Sequence, residues 1–267
     1  MIKRGNHHER KPKRTPENRR RVNRKKIIDF IKENTKGLNG IVIGLSGGID
    51  SAVCATLATK ALGKDKVFAL LMPGITTPKE DIKDAIELAE HLGIEYKVVD
   101  IKDIYESIKN NSFSKDRVSQ GNIMARIRMI LLRDYAHSKN LLVLGTGNRS
   151  ELMIGYFTKN GDSGVDLLPI GDLYKTQVRA LAKHLNISGS IIQKAPSAGL
   201  WKDQTDEKEI GMTYETLDMI LAGLEQKQEA EELSQIIKVS IDKIAKVKDL
   251  ISRSRHKTEP IPYPIVR

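Results

Sequence analysis

Apolar and polar positions along this chain follow two periods, and the switches between them mark its elements. From Lys25, the positions Ile27, Ile28, Phe30 and Ile31 recur at helical spacing and predict an amphipathic helix that closes near Gly37 to Gly40. Ile41 to Leu45 is a continuous apolar run, the pattern of a strand buried on both faces, which breaks at Ser46-Gly47-Gly48 before AVCATLATKAL opens as a helix. VFALLMP, residues 67–73, is a second such run; a helix from Lys79 to His91 and the strand EYKVV follow it. DIKDIYESI begins a further helical stretch, a long helix is entered near Gln120, and LLVLGT, residues 141–146, is the fourth strand. Beyond it the pattern predicts a helix near Lys175 to His184, a loop around Pro196 to Gly211, two or three amphipathic helices and a proline-rich end. No internal repeat is present. This alternation argues for an α/β fold with a doubly wound parallel sheet and flanking helices, in one domain from residue 25 to residue 267. In such a sheet a ligand sits beyond the strand C-termini where strand order reverses, so the polar turns after the first and fourth strands should face one crevice.

Charge alters the picture only at one end. The net charge is +11, yet the first 26 residues hold twelve Lys and Arg against two Glu, and the remainder holds 33 against 32. Residues 1–24 therefore read as a basic, disordered tail, one that serves solubility or holds an acidic surface or RNA by non-specific electrostatics. His7 and His8 are adjacent and so are not spaced for one helix face, which excludes a helical metal pair. No apolar run spans a bilayer and the N-terminus is charged, so a cytoplasmic protein is expected. The single cysteine, Cys54, excludes an internal disulfide or a multi-cysteine metal site and reads as a small core residue.

The chemistry is concentrated in IVIGLSGGIDS, residues 41–51. A strand, a glycine turn and a helix N-terminus put main-chain N–H groups at the positive end of a helix, and Gly47 and Gly48 leave room for a bulky anion such as phosphate or pyrophosphate. The lysine that a P-loop carries after its second glycine is missing; the polar residues are Ser46, Asp50 and Ser51. A carboxylate beside a phosphate cradle repels its ligand unless a divalent cation lies between them, so Asp50 reads as a magnesium ligand. Ser-Gly-Gly-x-Asp-Ser resembles the motif of the ATP pyrophosphatases, which cleave ATP between the α and β phosphates.

Later stretches narrow the resemblance. GTGNRSELMIGYFTKNGDSGVDLLPIGDLYKTQV, APSAGLWKDQTDEKEIGMTYETLD and SRHK are similar to the ammonia-dependent NAD synthetases, over about residues 25 to 267. The basic tail has no counterpart in that pattern, and Ser163 stands where a glycine is expected. The resemblance implies ATP-dependent amidation of deamido-NAD by ammonia through an adenylated intermediate, with release of AMP and pyrophosphate. It also implies Mg2+ as cofactor, a homodimer, and free ammonia, since no length remains for a glutamine-hydrolysing domain.

Residue by residue, the resemblance assigns Gly44, Leu45, Ser46, Gly47, Gly48, Ile49, Asp50 and Ser51 to the ATP phosphates, with Asp50 and Glu151 as metal ligands. Thr146, Lys175 and Ser197 become further ATP contacts. Arg126, Lys159, Asp166, His256 and Lys257 become deamido-NAD contacts, with Arg126 rather than Arg128 facing the substrate. Asp50 and Lys175 carry the chemistry, and Asp166 is a candidate for orienting or deprotonating ammonia. Spacing alone leaves plainer roles open: a turn or N-cap threonine for Thr146, solvated helix faces for Glu151 and Lys175, a surface loop for Ser197, and a basic tail for His256 and Lys257. The competing function is an RNA-modifying ATP pyrophosphatase that uses the basic tail, which a single cysteine disfavours.

Overall fold

In the computed structural model, which describes residues 24–197, 199–201 and 204–266, the apolar run after Asn39 forms an interior strand. Helix α1 (Arg24–Asn34) leads into this strand, β1 (Gly40–Gly44), and then come α2 (Ile49–Leu62), β2 (Val67–Leu71), α3 (Lys79–Leu92) and β3 (Glu95–Val98). Helices α4 (Lys102–Asn110) and α5 (Arg117–Lys139) precede β4 (Leu141–Leu144), and α6 (Arg149–Ile154) and α7 (Lys175–His184) follow it. The chain continues through α8 (Gly189–Gln193), α9 (Asp206–Ile210), α10 (Tyr214–Glu225), α11 (Ala230–Ile237) and α12 (Ile241–Thr258). The basic tail expected for residues 1–24 falls, up to Asn23, outside the described residues.

All strand pairs are parallel, in the order β3-β2-β1-β4. The chain steps from β1 out to β3 and then returns to the other side of β1 for β4, so strand order reverses between β1 and β4. The period of two along β1 divides the core: Ile41 and Ile43 join a cluster with α1, α2, α3 and α7, while Val42 faces Met124 and Ile127 of α5. Helix α2 is buried nearly all round, and Cys54 within it is fully enclosed, as its apolar neighbours predict. A third cluster, built on Tyr214, Leu217, Leu221, Ile244 and Val247, packs α10, α11 and α12 against α6.

The structure departs locally from the sequence expectations. Phe30 lies largely outward while Ile31 is fully buried. Helix α5 starts three residues before Gln120 because Asp116 caps it, accepting the Ser119 N–H at 2.9 Å. The expected 196–211 loop contains α9, a single short helix that begins at Asp206. Strand β3 is one edge of the sheet, with Glu95 and Lys97 exposed along it.

Candidate functional site

Beyond the C-terminal ends of β1 and β4 opens a cavity of about 690 Å³, lined by the turn Gly44–Ser51 except Gly47, by Gly145, Thr146 and Gly147, and by Glu151 and Lys175. Both glycine turns thus face one crevice, at the point where strand order reverses. The first turn is held by its own hydroxyls. Ser51 Oγ donates to the Gly48 carbonyl at 2.9 Å and lies 3.1 Å from Ser46 Oγ, which accepts the Gly48 N–H. Gly47 has φ +77°, and a Cβ there would meet the Asp81 carbonyl oxygen at 2.2 Å, so only glycine fits. The first N–H groups of α2 have no partners within the helix, which leaves an anion-binding end beside the turn.

Three elements bring opposite charges together above this turn. Asp50 stands in the first turn of α2; Glu151 stands in the first turn of α6, where Asn148 caps the helix and donates at 3.2 Å to Asp50 Oδ1. Lys175 opens α7 and is only 2% exposed; its Nζ lies 2.5 Å from Asp50 Oδ2 and 3.1 Å from Glu151 Oε1. A second layer closes the base, with the Tyr214 hydroxyl donating at 3.0 Å to Asp206 Oδ2 and the Tyr156 hydroxyl donating at 3.2 Å to Asp206 Oδ1. Burial pushes the Glu151 carboxyl up to about 7, Asp50 and Asp206 adding to the rise and Lys175 opposing it. Burial also works against the Lys175 charge, but Asp50 and Glu151 outweigh it and hold the ammonium above its ordinary range.

Three carboxylates around one ammonium leave an excess of buried negative charge at the mouth of a phosphate-sized turn. That excess fits a divalent cation shared between Asp50, Glu151 and a polyphosphate. Among the described residues no three or more His, Cys, Asp or Glu side chains are grouped so as to hold a metal ion by themselves.

The segment after α8 covers the cavity. Ala195, Pro196, Ser197, Gly199, Leu200, Trp201 and Gln204 line it; Thr76 Oγ1 donates to the Gly199 carbonyl at 3.1 Å, and Leu200 packs on Gly121 of α5. Ser197 Oγ accepts the Gly199 N–H at 3.0 Å. Lys194 anchors the start of this cover to α3, 2.6 Å from both Asp81 and Asp84.

The residues expected at the dinucleotide divide into three groups. Lys257 lines the cavity, donating at 2.6 Å and 2.8 Å to the carbonyls of Gly155 and Phe157. Arg126, Lys159 and His256 come together outside the cavity wall: Arg126 donates to the Lys159 carbonyl at 3.3 Å and Lys159 to the His256 carbonyl at 2.6 Å. Asp166 stands apart from both, 2.5 Å from Arg133 and accepting the Val143 N–H at 2.8 Å, where it ties the chain to β4. Arg128, set aside in favour of Arg126, is in the cavity wall and donates to the Met72 carbonyl at 3.0 Å; Arg126 is exposed. Ser163, the departure from the motif, accepts the Asn160 N–H and donates to the Thr158 carbonyl, closing the turn with a side chain. Asp206, Tyr214 and Tyr156 carried no signal that spacing alone could isolate, although all three lie within quoted motif stretches.

Comparison with known proteins agrees along nearly the whole chain. Residues 23–261 match the family model described as NAD synthase. The NH(3)-dependent NAD(+) synthetase of Archaeoglobus fulgidus is 47% identical over 245 residues, spanning 91% of this chain and 96% of that protein. Among solved structures, the NMN synthetase of Francisella tularensis superposes with a TM-score of 0.81 at 38% identity, covering 90% of this chain and 96% of that one. The NH3-dependent NAD synthetase of Campylobacter jejuni superposes with a TM-score of 0.77 at 39% identity, covering 91% and 97%.

Proposed function

The chain belongs to the NAD synthase family, and from that premise we propose that it amidates the nicotinate carboxylate of deamido-NAD with ammonia, consuming ATP and releasing AMP and pyrophosphate. The observation that carries this reading is Lys175 held between Asp50 and Glu151 above a glycine turn at the switch point of the sheet.

In the first step a carboxylate oxygen attacks the α-phosphorus, an oxygen–phosphorus bond forms, and the bond to the β-phosphate oxygen breaks. In the second, ammonia nitrogen attacks the acyl carbon, the acyl–oxygen bond to AMP breaks, and nitrogen loses a proton. Both steps bring polyanions together, so charge compensation supplies most of the acceleration. The Gly44–Ser51 turn orients the phosphates with main-chain N–H groups, and Lys175 supplies a compact cation to them. Mg2+ held by Asp50 and Glu151 would neutralise the departing pyrophosphate. Thr146 and Ser197, both on the cavity wall, contact the nucleotide, and Pro196, Leu200 and Trp201, which line the same wall, shield the adenylate from water. Lys257 and Arg128 face the nicotinate side. Asp166, paired with Arg133 away from the cavity, is given no part in the proton transfer.

The far half of the dinucleotide extends past the wall to Arg126, Lys159 and His256. A second copy of the chain completes that end, a homodimer supported by the exposure of Arg126 and of Ile130 on the same helix. The alternative of tRNA sulfuration is disfavoured: burial pushes the only thiol, Cys54, well above its usual range. Among the described residues no helix is long and apolar enough to cross a membrane.

The test combines purified protein with ATP, magnesium, ammonium chloride and either deamido-NAD or nicotinate mononucleotide, the second because one similar structure is an NMN synthetase. Equimolar NAD, AMP and pyrophosphate are expected from deamido-NAD, lost in Asp50→Ala and not supported by glutamine. Turnover of the mononucleotide alone would move the substrate assignment, and ATP cleavage without either amide would overturn it.

A further inference from the structure

Asp218 lies outside the cavity lining, yet both of its oxygens are committed to the two helices that carry Glu151 and Lys175. It sits on the inner face of α10, 6% exposed, within a helix otherwise buried through Leu217, Ile220 and Leu221. Its Oδ1 accepts the Ser150 hydroxyl at 2.5 Å, and its Oδ2 accepts the Thr176 N–H at 2.9 Å. Ser150 Oγ in turn accepts the Lys175 N–H at 2.9 Å. One carboxylate thus satisfies the first two N–H groups of α7, one directly and one through Ser150, at the residue next to Glu151 in the first turn of α6.

The arrangement does what an ordinary cap does for α7, and through the Ser150 hydroxyl it ties that helix start to α6, which Asn148 caps. At the start of α7 Tyr174 and Gln177 form a capping box, and the N–H groups of Lys175 and Thr176 are met from outside the helix, by Ser150 of α6 and Asp218 of α10. The same carboxylate also places negative charge at the positive end of the helix that begins with Lys175, where an unopposed helix dipole would disfavour the ammonium. Glu151 and Lys175 face one another at 3.1 Å only if α6 and α7 keep their relative height, and α10 is tied to both helix starts at its middle by the Ser150–Asp218–Thr176 chain and at its end by Glu225, which accepts from Arg149 and Tyr174.

We propose that Asp218 is a positioning residue for the amidation: acting through Ser150 and the first turn of α7, it sets the separation of Glu151 and Lys175 that the nucleotide–metal complex requires. The inference rests on the reading of Asp50, Glu151 and Lys175 as the ATP site.

The test compares Asp218→Asn and Ser150→Ala with Leu217→Ala, a neighbouring core truncation that loosens α10 without touching the chain of hydrogen bonds. Binding of ATP with magnesium is followed by calorimetry, and kcat and the magnesium requirement are measured on folded protein. Asp218→Asn keeps one acceptor but presents an amide N–H2 to a donor; it is expected to lower kcat and raise the magnesium requirement by roughly 10- to 100-fold, as for an ångström-scale misplacement. Ser150→Ala shows the same pattern more weakly, and Leu217→Ala lowers the melting temperature while leaving both readouts within about twofold. Folded Asp218→Asn and Ser150→Ala with wild-type kcat and magnesium requirement would overturn the proposal, as would Leu217→Ala reproducing their losses. Should Asp218→Asn fail to fold, Ser150→Ala against Leu217→Ala decides alone. Wild-type protein that fails to bind ATP with magnesium would instead count against the site assignment on which the proposal rests.

Discussion

Replacing Glu151 by Gln should stabilise the ligand-free protein above neutral pH while removing most of its activity. Glu151 titrates near 7 in the folded protein against an ordinary 4.5, because burial and the neighbouring Asp50 and Asp206 outweigh the attraction of Lys175. Between these values the native state binds more protons than the unfolded chain, so stability falls as pH rises through that window. The contribution of the protonated group is fully present below about 4.5 and gone once the pH has passed about 7. The interval corresponds to roughly 3 kcal/mol by pH 8.5, reduced by about 1 kcal/mol for the amide's poorer fit to the Asn148 N–H. The variant should therefore be about 1–2 kcal/mol more stable at pH 8.5 and equal to wild type near pH 5. Urea unfolding at pH 5, 7 and 8.5, in chelator and without nucleotide, measures this directly. A variant less stable than wild type at pH 8.5, or a difference that does not change with pH, would refute the reasoning. With magnesium and ATP present the order should reverse, because the wild type alone keeps both carboxylates.

Gly47→Ala forces a side chain into the Asp81 carbonyl at a positive φ and should abolish nucleotide binding, with at least about 2 kcal/mol lost in thermal unfolding. Trp201→Ala opens the cover where the Arg117 guanidinium lies over the indole; AMP should then exceed NAD in the product ratio as water takes the adenylate, and a ratio that stays at one would sink the lid role. Asp166→Asn breaks a pairing with Arg133 and a bond to β4, so it should cost about 1–2 kcal/mol in stability and leave the ammonium dependence of kcat unchanged; a shifted ammonium dependence would restore Asp166 to the chemistry.

Much of this arrangement was legible because it depends on local pattern. The apolar run Ile41–Leu45, its glycine break and the matching turn after LLVLG predicted two strand ends at one crevice, and strand order β3-β2-β1-β4 places them there. Asp50 was readable from charge alone, since a carboxylate beside an anion cradle needs a partner. What escaped was tertiary. Lys175 looks like a solvated lysine until α7 is packed on α2, which buries it to 2% exposure against two carboxylates. Asp206, Tyr214 and Asp218 arrive from the C-terminal helices, more than thirty residues from Lys175, and no period or spacing joins them to it. Arg126 and Arg128 show the limit most plainly: two positions apart on α5, they point to different sides, and only the packing on Met72 decides which one enters the cavity wall.

The decisive observation would follow oxygen. With 18O in the nicotinate carboxylate of deamido-NAD, attack on the α-phosphorus transfers one labelled oxygen to AMP, and NAD keeps the other in its amide. The expected result is one 18O in each molecule of AMP and none in pyrophosphate. Label appearing in inorganic phosphate, or AMP released without it, would contradict adenylation at the Asp50–Glu151–Lys175 site.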